Sequence, residues 1–147
     1  MNFKKAISLF ILGVILSTSI VSVFAYTTYD SDWGYYGPIA GKSYQNQSYV
    51  IDWEGTAGVA AGARVKTQND VGVPTGYMGA DAWLYKDDVL VKTTGWKYNT
   101  ETTYLLARTT TPPNTQSGNY YAGGQTRAYN GNGYDTYSVF TSPIFSH

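Results

Sequence analysis

The chain has 147 residues, with ten basic and ten acidic side chains, one histidine and no cysteine. That balance gives no basic face to neutralise a nucleic-acid backbone and no polybasic patch to hold a membrane surface, and the lack of cysteine excludes a disulfide framework and thiolate metal sites. The fold must therefore rest on packing and sheet hydrogen bonds, in a chain of the length of one domain.

Met1–Lys5 carries Lys4 and Lys5, and the apolar run AISLFILGVILSTSIVSVF follows, ending at Val23-Phe24-Ala25. A basic start, an apolar stretch and small residues at a cleavage site predict a secretory signal peptide over residues 1–25. The competing reading is a retained anchor helix, but Ser17, Thr18, Ser19 and Ser22 dilute the apolar run. The mature domain would be residues 26–147, extracellular, and slightly acidic once Lys4 and Lys5 are removed. All fifteen tyrosines and all four tryptophans lie in it. Tyrosine suits strands; it also provides rings that stack and hydroxyls that hydrogen-bond, the chemistry of carbohydrate binders and polar protein interfaces.

Residues 26–43 read as an extended arm or edge strand, with Pro38 tolerable at an edge. Asp30-Ser31-Asp32 sets two carboxylates two residues apart, too few oxygens for a calcium loop. In SYVIDWE, Tyr49, Ile51 and Trp53 share one strand face and are the predicted core set, opposite Val50, Asp52 and Glu54. In the next strand Val59, Ala61, Ala63 and Val65 alternate with Ala60, Gly62, Arg64 and Lys66, apolar inward and basic outward, and the small residues imply a closely approaching neighbour. Gln68–Thr75 is a loop.

Gly76–Lys97 is the most regular predicted hairpin. Met78, Ala80, Ala82 and Leu84 face inward. With Asp87-Asp88 as a two-residue turn, Leu84 faces Val91 and Ala82 faces Thr93 inside, while Tyr85 faces Leu90, Trp83 faces Lys92 and Trp96 lies over Gly79 outside. A one-residue slip would reverse these faces. Thr103–Thr110 is a further strand, with Leu105 and Ala107 on one face. Tyr120–Tyr129 and Tyr134–Thr141 are two strands joined by Asn130-Gly131-Asn132-Gly133, a hairpin signal because Asn and Gly reach positive φ readily. There Ala122, Gly124 and Ala128 mark one side, and Gln125 and Arg127 the exposed one. Seven or eight evenly spaced strands with no helical pattern predict an all-β fold, a small antiparallel β-sandwich with a small barrel as the alternative.

Chemical motifs are sparse. The one histidine, His147, is expected at a frayed terminus, which removes the base of a nucleophilic triad and leaves too few ligands for zinc. Asp52 and Glu54 share a strand face, whereas glycosidase carboxylates sit across a cleft. Asn130, Asn132 and Asp135 offer oxygens at a Gly turn, a weak calcium set with a single carboxylate that hairpin formation alone explains. No cofactor is expected.

The candidate ligand-binding residues are Trp83, Tyr85 and Trp96, with Asp81 and Lys92 beside them: a stacking platform for a cell-surface carbohydrate or an anchor for a partner protein. The competing expectation is that this face is covered and belongs to the core. The leading functional expectation is a secreted, non-catalytic binder of an extracellular polymer or partner protein, acting away from nucleic acid and membranes. The alternatives are a bacteriocin-like or pore-forming toxin, and a matrix or fibre-forming protein that self-associates through strand edges.

Overall fold

A computed structural model of the protein describes residues 25–53 and 57–147. The predicted signal segment up to Phe24, and Glu54 of the carboxylate pair, lie outside the described residues. In chain order the strands are β1 (Tyr26–Asp30), β2 (Gly34–Ile39), β3 (Lys42–Trp53), β4 (Gly58–Thr67), β5 (Met78–Lys86), β6 (Val89–Thr93), β7 (Lys97–Tyr98), β8 (Leu105–Thr109), β9 (Asn119–Tyr129), β10 (Tyr134–Ser138) and β11 (Phe145–Ser146). No helix occurs among the described residues.

The strands form two antiparallel sheets, and neither closes into a barrel, which removes that alternative. In the first sheet β3 and β4 are central. β8 flanks β4, and β1 and β2 lie end to end along the outer side of β3. The N-terminal arm is thus an edge, and exposed Pro38 sits where the β2–β3 register shifts. In the second sheet β5 and β9 are central, with β10 and β11 beyond β9 and β6 and β7 beyond β5.

The two sheets lay their small-residue faces against each other. Ala63, Val65, Met78, Ala80, Ala82 and Ala128 belong to one core cluster, and Val50, Val59, Ala61, Leu84, Tyr120 and Ala122 to the other. Alanine faces let the sheets approach closely, and the few long side chains fill what remains; a fully buried Leu or Met contributes about 1.5–3 kcal/mol. The predicted alternation of β4 and the inward row of β5 are both present.

On β3 the predicted core face is reversed. Directly paired residues of an antiparallel ladder share a face, and β3 pairs Ser48 with Ala63 and Val50 with Ala61. Tyr44, Asn46, Ser48 and Val50 therefore point inward, while Ile51 and Trp53 lie half-buried on the outer face. Tyr49 is buried there because it lies over Gly62, where a Cβ would fall inside its ring. Arg64 completes this outer cover, its guanidinium 5.2 Å from the Trp33 ring centre and 5.0 Å from that of Tyr49. The glycine that signalled close approach thus makes room for an aromatic ring of the neighbouring strand.

The inward Asn and Ser of β3 tie the sheets together. Asn46 Nδ2 donates to Thr126 Oγ1 at 2.8 Å and to the Ser138 carbonyl at 3.3 Å. Ser48 Oγ lies 2.6 Å from the Phe140 carbonyl and 3.2 Å from that of Ala122. On β8, Leu106 is the inward residue, and Leu105 and Ala107 share the exposed face.

Candidate functional site

The outer face of the second sheet carries the aromatic residues singled out in the sequence, and among the described residues no third layer packs on it. Trp83 and Tyr85 project from β5, opposite Gly123 and Tyr121 of β9. The Tyr85 and Tyr121 rings stack with centres 4.8 Å apart and planes 6° apart. Gly123 has no side chain, and the rings of Tyr85 and Trp83 pack against its backbone, 3.4 Å and 3.9 Å from where a Cβ would stand. All three aromatic side chains are half-buried.

A second aromatic group lies further along this face. Tyr98 of β7 covers Gly79, the place expected for Trp96. Trp96 packs beside Tyr98 at 6.5 Å, and the Arg127 guanidinium lies 3.7 Å over the Trp96 ring while donating to Tyr98 Oη at 2.9 Å. The rings of Tyr134, Tyr129 and Tyr77 continue the row. Trp83 and Gly79 are four residues apart on β5, so the two groups stand about 13 Å apart along the strand.

The polar members of the candidate set are placed differently. Asp81 is buried, and its Oδ1 accepts from Thr93 Oγ1 at 2.6 Å and Thr94 Oγ1 at 3.2 Å. Its carboxylate pins the end of β6 and leaves little for a ligand. The turn at Asp87-Asp88 is as predicted, with both residues at positive φ (48° and 66°), and Tyr85 pairs with Leu90. Val91 is then an unpaired bulge residue, so Leu84 pairs with Lys92 and Trp83 with Thr93. The bulge takes Lys92 off the aromatic face. Its Nζ reaches the carbonyls of Pro112 and Pro113, beyond the end of β8. The residues brought together are therefore Trp83 and Tyr85, joined by Tyr121; Trp96 belongs to the Arg127 group, and Asp81 and Lys92 serve the fold.

The weak calcium set is occupied with itself. Asn130 Nδ2 donates to Asp135 Oδ1 at 2.8 Å, and the Asn132 N–H donates to Asn130 Oδ1 at 3.0 Å. Among the described residues no cluster of three or more His, Asp or Glu is arranged to hold a metal ion. Asp30 is paired with Arg64 at 2.9 Å. The expectation of a frayed His147 is corrected: its N–H donates to the Gly118 carbonyl at 3.0 Å, and its carbonyl accepts from Gly118 at 3.1 Å. Its Nδ1 lies 3.3 Å from Asp52 Oδ1, a buried oxygen on the inward side of β3 that no hydrogen bond reaches.

Two clefts open where the sheets' edges meet. One, of about 410 Å³, lies among Thr93, Thr94, Lys97, Arg108, Thr109 and Thr111; the Arg108 guanidinium there is spent on the carbonyls of Ala107 and Tyr98. The other, of about 380 Å³, lies between β2 and β10 and is walled by aromatic rings over the buried Asn46. Sequence reasoning missed this second cleft. Its only linear signal is the aromatic cluster Trp33, Tyr35, Tyr36, and its far wall, Tyr137 and Phe140, is about a hundred residues away. Burial raises the Tyr36 pKa well above the usual phenol range, against the opposing effect of the Thr126 hydroxyl, and so keeps the phenol protonated. Compared with family models, curated proteins and solved structures, the chain finds no match.

Proposed function

We propose that this protein is a secreted, non-catalytic β-sandwich that binds an extracellular polymer through the outer face of its second sheet. The observation that carries the reading is the uncovered Trp83–Tyr85–Tyr121 group, held on the two central strands of that sheet. Half-buried rings on central strands are preorganised, so little side-chain entropy is lost when a ligand stacks on them. An open sheet face suits an extended chain of sugar units more than a small enclosed ligand. The second aromatic group, about 13 Å away along β5, offers a further contact for the same chain.

The test is co-sedimentation of the purified protein with insoluble polysaccharides and cell-wall preparations. Retention is expected for the natural chain. Trp83→Ala and Tyr121→Ala, each on the outer face, are expected to weaken retention by about tenfold or more. Retention unchanged in both variants would remove this face from binding, and release of dye from liposomes would assign the pore-forming reading instead.

A second reading, self-association, is favoured by one specific feature. β6 is an edge strand whose Val89, Leu90 and Val91 are all exposed, and an exposed apolar edge is a template for pairing with another copy. Its shortness and its bulge at Val91 blunt that tendency, so binding ranks first. Sedimentation velocity on the natural chain and on Leu90→Lys separates the two: a dimer lost in the variant assigns the edge.

A further inference from the structure

We infer that the cleft between β2 and β10 is a binding site for one neutral sugar unit, whose hydroxyl or acetamido N–H donates to Asn46 Oδ1. The site is distinct from the outer face of the second sheet and does not depend on it.

The argument begins with an orphaned acceptor. Asn46 is 1% exposed. Its orientation is set by the Ser138 carbonyl, which can only accept, so Nδ2 must face Ser138 and Thr126. Oδ1 is thereby turned the other way, and no donor reaches it. A buried acceptor without a partner costs about 1–3 kcal/mol, and native interiors leave few of them. The nearest element is Gly34, whose absent Cβ would stand 2.5 Å from Oδ1 and 3.7 Å from the Phe140 ring. Any larger residue at 34 would occupy the acceptor's free side.

The surroundings define what the donor is attached to. The cleft lining is Trp33, Tyr35, Tyr36, Tyr137 and Phe140 around Gly34, Asn46 and Ser138. No acid, lysine, arginine or histidine is among them, and the two cations that lie against the Trp33 ring, Arg64 and Lys66, are paired with Asp30 and Asp70, so the lining favours a neutral ligand. Tyr36 and Tyr137 stack at 4.0 Å and form a fixed wall, and the Tyr36 hydroxyl is engaged by Thr126 at 3.0 Å. Phe140 is 58% exposed, and its ring is the part that turns aside to let a donor reach Oδ1. Aromatic walls take the C–H face of a pyranose, and a single acceptor at the floor takes one of its donors. About 380 Å³ lies near the lower end of ligand-pocket volumes, enough for one ring or a chain end and too little for a folded partner.

The experiment is a nuclear magnetic resonance titration of ¹⁵N-labelled protein with glucose, galactose, mannose, N-acetylglucosamine, cellobiose and N,N′-diacetylchitobiose, each up to about 50 mM, which covers Kd values around and above 1 mM. At least one sugar is expected to shift the Asn46 side-chain amide and the Gly34 backbone amide along a saturable curve. Tyr35→Ala, at an exposed position, removes part of the aromatic wall and is expected to raise the Kd by about tenfold, whereas Phe140→Ala removes the ring that screens Oδ1 and is expected to lower it. Trp83→Ala should leave the curve unchanged, which separates this site from the outer face. The inference is overturned if no sugar in the panel gives a saturable shift at Asn46, if shifts appear only around Trp83 and Tyr121, or if the curve is the same in Phe140→Ala.

Discussion

At the scale of single residues, the tyrosines do different work by position. Tyr85 and Tyr121 stack on an open face, whereas Tyr36, Tyr44 and Tyr120 pack into the core; the phenols of Tyr36, Tyr44 and Tyr120, and also those of Tyr121 and Tyr134, have a pKa raised chiefly by burial. A phenol with a folded pKa above its unfolded value of about 10 keeps its proton longer in the native state. Its contribution to stability is complete below pH 10 and is lost as pH climbs toward the folded value, because the unfolded chain then binds fewer protons. The unfolding free energy should therefore be flat from neutral pH to about pH 9 and fall above pH 10, by up to about 1.4 kcal/mol per pH unit for each such phenol. Urea denaturation between pH 7 and 11 measures this. Tyr36→Phe keeps the ring that stacks on Tyr137 and removes one titrating group, so its alkaline slope should be shallower by about one proton. An unchanged slope would mean that Tyr36 ionises as readily folded as unfolded.

At the scale of elements, the β5–β6 hairpin shows what the sequence could and could not determine. Asp87-Asp88 was readable as a turn from the alternating arms on either side of it, although Asp-Asp is not a preferred turn pair, and Lys86 does pair with Val89. The bulge at Val91 was not readable. It brings Thr93 onto the face of Asp81, whose buried carboxylate accepts from Thr93 and Thr94; local alternation carries no record of that pairing. The turn itself yields a contrast between its two aspartates. Asp88 adopts φ 66°, a left-handed conformation that is costly for a residue with a Cβ. Asp88→Gly should stabilise the protein by about 1 kcal/mol. Asp87, at φ 48°, accepts from the Asn119 N–H at 3.0 Å and pairs with Lys86 at 2.9 Å, and these contacts hold its carboxyl below the usual carboxylate range. Asp87→Gly gives up those contacts for the same relief of backbone strain, so it should gain less than Asp88→Gly. Equal midpoints for the two variants in urea would show that the Asp87 contacts contribute nothing.

At the scale of the whole molecule, two sheets with alanine-lined faces need something to fix their relative placement, since apolar contact is non-directional. Asn46 and Ser48 on β3, Thr126 on β9 and the carbonyls of Ala122, Ser138 and Phe140 supply it. This also explains why the core face of β3 was misread. Tyr49, Ile51 and Trp53 are the more apolar set, yet they cover Gly62 and the outer surface, and the polar set faces inward because its partners wait on the other sheet, some eighty residues away. The same long-range pairing hid the β2–β10 cleft, while the Trp83–Tyr85 face, being local to one strand, was legible. Thr126 Oγ1 is the shared centre of this seam, 2.8 Å from Asn46 Nδ2 and 3.0 Å from the Tyr36 hydroxyl. Thr126→Val preserves the shape, leaves the Tyr36 hydroxyl without its partner and leaves Asn46 Nδ2 only the Ser138 carbonyl, so it should cost about 1–3 kcal/mol. Tyr36→Phe alone should cost about 0.5–1.5 kcal/mol. In the double variant the Tyr36 hydroxyl is no longer left without a partner, so the combined loss should fall short of the sum of the two single losses. Urea denaturation of the four proteins closes the cycle, and additivity within about 0.3–0.5 kcal/mol would show that Thr126 and Tyr36 act independently and that the seam is not a coupled unit.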